Sequence, residues 1–112
     1  MDENTARGAM QIILHAGDAR AKTMEALQSL EKFDLKAAKE YLSSAQEDIV
    51  EAHKYQTVQL QREANGDNPE FTVLLTHAQD TCMSVNSEII IADHLIRITE
   101  ALDERIKKLE EK

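Results

Sequence analysis

The chain of 112 residues has no tryptophan, one cysteine, one proline and three glycines, and only 4% of it is aromatic. Each shortage removes a class of structure. With Cys82 as the sole cysteine there is no internal disulfide, so the stapled framework of small secreted domains is excluded and a reducing compartment is the default. The scarcity of glycine, proline and aromatics withholds the turn and strand residues that a sheet needs. Lys and Arg number 13 against 21 Asp and Glu, a formal net charge of -8. Without a cationic excess to neutralise phosphates and release counterions, a nucleic-acid partner is not expected. No apolar run approaches the length that crosses a bilayer, and Met1-Asp2-Glu3-Asn4 is neither the basic start nor the apolar core of a signal peptide. The expectation is a soluble, cytoplasmic chain with no direct membrane insertion.

Ala, Leu, Ile, Glu, Lys and Gln fill most positions, which is the composition of long helices. The expected fold is all-α, with residues 1–112 forming one domain. From Thr5 to about Leu30, Met10, Ile13, Leu14, Gly17, Ala21, Met24 and Leu27 follow helical spacing, predicting a first helix buried on that face, with close approach of a neighbour at Gly17. Lys32-Phe33-Asp34 interrupts it, and Asp34 is suited to cap the next helix. A second helix is expected from about Leu35 to Ala64, with Ala38, Tyr41, Leu42, Ala45, Ile49, Ala52, Gln56 and Leu60 or Val58 near its buried face. Asn65-Gly66-Asp67-Asn68-Pro69 has the composition of a turn.

A third helix follows from about Glu70 to Leu109. Leu75, Cys82, Ile89 and Ile96 recur every seven residues, as do Phe71, Ala78, Val85 and Ala92, and again Leu95, Leu102 and Leu109. Such rows form an apolar seam. Val73, Asp80, Ser87 and His94 form a wetter row. Three long helices with two short connections give an antiparallel up-down-up bundle. The length and heptad rows of the third helix favour a symmetric oligomer built on it.

The four histidines, His15, His53, His77 and His94, form no His-x-x-x-His pair, and neither Cys-x-x-Cys nor a Gly-rich phosphate loop is present. His77 remains as a candidate nucleophile, because neutral imidazole attacks phosphorus near neutral pH and keeps the phosphoryl group at high transfer potential. By spacing alone, a histidine hydrogen-bonded at a helix interface accounts for it as well.

Several spaced segments together carry a resemblance that covers nearly the whole chain. They are Gly17-Asp18-Ala19-Arg20, Phe33 with Ala37-Ala38, Glu51-Ala52-His53 with Gln56-Thr57, Glu63-Ala64-Asn65-Gly66, and His77-Ala78-Gln79-Asp80 with Met83. The chain resembles the enzyme IIA component of the lactose, cellobiose and chitobiose branch of the bacterial sugar phosphotransferase system. The resemblance implies a homotrimer of three-helix subunits in which His77 is the phosphoacceptor, taking its phosphoryl group from HPr and passing it to a cysteine of the IIB component. It implies that Asp80 points at the threefold axis and shares a divalent cation with its two symmetry mates. Mg2+ suits such oxygen ligands, and three converging carboxylates repel one another unless neutralised. Gln79 is expected to hydrogen-bond near the site, His53 and Gln56 to form a supporting interhelical network, and Arg20 to pair with a carboxylate. Thr81-Cys82 stands where the family frequently has His-Leu, a departure at the edge of the site. The alternative is a non-catalytic oligomerisation or adaptor module whose histidines only pack.

Overall fold

The computed structural model describes residues 3–66 and 72–112. Three helices account for nearly all of them: α1 spans Glu3–Glu31, α2 Leu35–Ala64 and α3 Val73–Glu110. Partners read along the helices give the topology. As numbers rise along α1 through Thr5, His15 and Lys22, their partners fall along α2 through Arg62, Tyr55 and Asp48. The pairs His53–Cys82 and Lys39–Glu100 show the same reversal between α2 and α3. The bundle is therefore up-down-up, 66 Å long and about 20 Å across.

The α1–α2 corner is built by local chemistry. The N–H groups of Phe33 and Asp34 bond back to the carbonyls of Leu30 and Ser29 at 3.0 Å, closing α1 with a Schellman motif whose left-handed residue is Phe33, φ 59°. The Asp34 carboxylate then accepts from the Ala37 N–H at 3.1 Å and caps α2. Of the turn expected at 65–69, only Asn65 and Gly66 lie within the described residues. Glu70 and Phe71 also lie outside them. Thr72 is extended and its side chain accepts from the Leu75 N–H, which starts α3 at Val73.

On α3 the core rows are those the heptads predict: Leu75, Cys82, Ile89 and Ile96 are buried, as are Ala78, Val85 and Ala92. On α2 the buried face is Ala38, Leu42, Ala45, Ile49 and Ala52, while Tyr41, Val58 and Leu60 face outward and Gln59 is buried.

Helix α1 corrects the sequence-based expectation. Its buried residues are Thr5, Gly8, Ala9, Ile12, Ala16, Ala19, Thr23 and Ala26. The face predicted to be core lies largely outside, with Met10 53%, Leu14 55% and Met24 49% exposed and only Ile13 and Leu27 packed against the core. Size decided the orientation, since small side chains allow a helix to approach its neighbours closely where Met and Leu would hold it off. Gly17 likewise meets nothing within 4 Å. The tight approach is at Gly8, where a Cβ would collide with the Gln59 side chain.

Candidate functional site

His77 is the fifth residue of α3 and is exposed. Thr72 positions it by fixing where the helix begins, and the Thr81 hydroxyl donates to the His77 carbonyl at 2.8 Å. Its Cα–Cβ bond tilts toward the helix N-terminus, the end at which the dipole favours negative charge. Starting α3 at Val73 puts His77 just past the first turn rather than two turns in, making the dipole a larger factor than a helix beginning at Glu70 implies.

Val73, Thr76, His77 and Asp80 line one open depression of about 280 Å³. Their spacing of three, one and three residues is that of neighbours on a single helical face. The structure thus brings Asp80 and His77 together, both exposed, and adds Thr76 and Val73, which are neither nucleophilic histidines nor charged residues. The signal for both was the helical offset of four, Val73 before His77 and Thr76 before Asp80.

Gln79, His53 and Gln56 do not line this depression. Gln79 is half-buried. His53 Nδ1 lies 3.1 Å from Gln56 Oε1 within α2, and the Cys82 thiol of α3 is 3.9 Å from both. Cys82 is fully buried, and burial pushes its thiol pKa up, as expected for a small core residue rather than a reactive thiolate. The Arg20 Nε–H donates to Glu88 Oε1 at 2.8 Å, the structural pairing expected of it. His15 stacks on Tyr55 with centroids 5.8 Å apart, and His94 is exposed. A roomier groove of about 740 Å³ between α1 and α2 includes Met10, Tyr55 and Val58 but not His77.

Among the described residues, no group of three His, Cys, Asp or Glu side chains within one chain is placed to hold a metal ion. Asp80 supplies a hard oxygen donor suited to Mg2+, but only one carboxylate per chain.

An exposed imidazole in a depression open to solvent is chemically suited to carry a small activated group between proteins that dock on the surface. Comparison with known proteins gives that role its particular form. The profile of the family described as "PTS system, Lactose/Cellobiose specific IIA subunit" matches residues 7–100. The lichenan-specific phosphotransferase enzyme IIA component of Bacillus subtilis is 36% identical over 105 residues, covering 94% of this chain and 96% of that protein. The lactose-specific EIIA component of Streptococcus mutans is 40% identical over 88 residues, covering 79% and 85%. The crystal structure of the cellobiose-specific enzyme IIA of Bacillus anthracis superposes with a TM-score of 0.86 at 36% identity, covering 93% of this chain and 95% of that one. The chain belongs to the lactose/cellobiose-specific IIA family of the sugar phosphotransferase system and is a phosphocarrier in sugar uptake. Its partners are therefore phosphotransfer proteins of that system, and no helix among the described residues is long and apolar enough to cross a membrane.

Proposed function

We propose that His77 is the residue that carries the phosphoryl group, received from HPr and delivered to a cysteine of a IIB component in the cytoplasm. The supporting observation is its exposed imidazole near the start of α3, in a depression that partners can reach. In the first transfer a ring nitrogen lone pair attacks phosphorus, and the bond from phosphorus to the donor breaks with its electron pair staying on the donor. In the second, the cysteine thiolate attacks, and the P–N electron pair returns to the His77 ring. No general acid on this chain is needed, because both leaving groups accept the pair directly. The His53–Gln56–Cys82 contacts support this role by tying α2 to α3, and Gln79 is assigned a hydrogen bond at the edge of the site.

The working unit in this reading is a homotrimer packed through α3. Two uncovered apolar strips support it. One is Met10, Leu14 and Met24 on α1, and the other is Ile91, Ile98 and Leu102 on α3, all about half exposed. In a parallel trimer the exposed row of Asp80, Ser87 and His94 faces the axis, where three Asp80 carboxylates supply the oxygen ligands that Mg2+ prefers and lose their mutual repulsion. The cargo in this reading is a sugar of the lactose, cellobiose and chitobiose type, a reading supported by the family match.

Incubation with enzyme I, HPr and phosphoenolpyruvate tests the acceptor. The protein takes up one acid-labile phosphate, and His77→Ala takes up none; label retained by His77→Ala would overturn the assignment. For the axis, Asp80→Ala lowers trimer stability or its response to Mg2+ more than it lowers phosphorylation. Sedimentation and melting that ignore Mg2+ would count against the shared cation.

A further inference from the structure

We propose that Thr76 is a phosphoryl-binding residue, its hydroxyl donating a hydrogen bond to an oxygen of the phosphoryl group carried on His77. The inference rests on His77 being the acceptor and adds a second group to that site. Thr76 lies in the same depression as His77 and is half-buried.

Its hydroxyl is uncommitted. Helical threonines ordinarily return their hydroxyl hydrogen to the carbonyl four residues back. Thr23 donates to Ala19 at 2.8 Å, Thr81 to His77 at 2.8 Å and Thr99 to Leu95 at 2.7 Å. Thr76 makes no such bond among the described residues.

Charge gives that free donor its use. The depression contains one carboxylate, Asp80, and no Lys or Arg among its lining residues. A phosphoryl group arriving on His77 therefore meets no cationic side chain of this chain there. Thr76 carries the one hydroxyl among the residues that line the same space. Hydrogen bonds to a charged acceptor are about twice as strong as neutral ones. A bond made only in the phosphorylated state favours uptake from the donor and slows loss to water.

Thr76→Val keeps the branched shape and removes the hydroxyl, and Thr76→Ser restores it. With HPr, enzyme I and a limiting amount of phosphoenolpyruvate, the fraction of label on this chain relative to HPr reads the transfer equilibrium. The valine variant shifts that equilibrium toward HPr by roughly tenfold, the lower end expected for losing one hydrogen bond to a charged group. Its isolated phospho-form also loses phosphate to water faster, and the serine variant returns both readings to within about twofold of the original. Thr76→Ala, which favours helix more strongly than valine does, repeats the measurement if the valine variant melts early. An unchanged equilibrium in both the valine and alanine variants, or a serine variant as impaired as valine, overturns the role of Thr76. Label retained by His77→Ala is a separate outcome that overturns the acceptor itself.

Discussion

Helix α1 offers a direct test of which face is core, through Ala16→Leu and Leu14→Ala. Ala16 is 0% exposed and Leu14 is 55% exposed. Adding three carbons at Ala16 forces side chains off their rotamers or pushes helices apart, at a cost of about 1–3 kcal/mol. That strain lies within one chain and is present at every protein concentration. Fully burying a leucine stabilises by about 1.5–3 kcal/mol, and about half of Leu14 is covered within the chain, so its truncation costs about 1 kcal/mol there. Assembly covering the remainder adds a loss of similar size only where copies associate, and this part varies with concentration. A loss of 1 kcal/mol lowers Tm by about 4 °C in a domain of this size. Thermal melts across a wide concentration range, with sedimentation at each point, separate the two effects. A concentration-independent loss of about 2–5 kcal/mol in Leu14→Ala, the range for a core leucine, together with a neutral Ala16→Leu, would refute the assigned face.

Three further outcomes follow from local geometry. Asp34→Ala removes the acceptor of the Ala37 N–H and lowers stability by about 1 kcal/mol in urea melts; an unchanged midpoint would show that the cap contributes nothing. Burial raises the Cys82 pKa above its ordinary 9.0. The stability tied to its neutral thiol is therefore fully present below pH 9.0 and falls as pH rises toward the folded value, because the unfolded chain releases its proton first. Alkaline melts of Cys82→Ala should lack that component, and an identical slope would refute it. A thiol reagent reacts slowly with native Cys82 and at the rate of a free cysteine in denaturant, and equal rates would show that the residue is not buried.

Much of the fold is legible in the linear pattern because its signals are local. Asp34, three residues before the N–H it caps, marks the start of α2, and the seven-residue rows from Leu75 to Ile96 mark the inner face of α3. The inner face of α1 is not legible in that way. Its small residues Ala9, Ala16, Ala19 and Ala26 alternate with larger apolar residues at the same helical period, so periodicity offers two faces and does not choose between them. The site divides similarly. His77 and Asp80 stand out as a candidate nucleophile and a carboxylate three residues apart. Thr76 gains meaning only when its hydroxyl is seen to lack the backbone bond made by Thr23, Thr81 and Thr99.

The sequence by itself determined an all-α chain, the order and approximate extents of its three helices, and the helical face shared by His77 and Asp80, because helix formation and i, i+3 neighbours depend on residues close along the chain. Tertiary structure decided that alanines rather than methionines and leucines fill the α1 interface, that Gly8 rather than Gly17 makes the tight approach, and that Cys82 meets His53 and Gln56. Those outcomes depend on the distance between helix axes, which the combined volumes of side chains from all three helices set together.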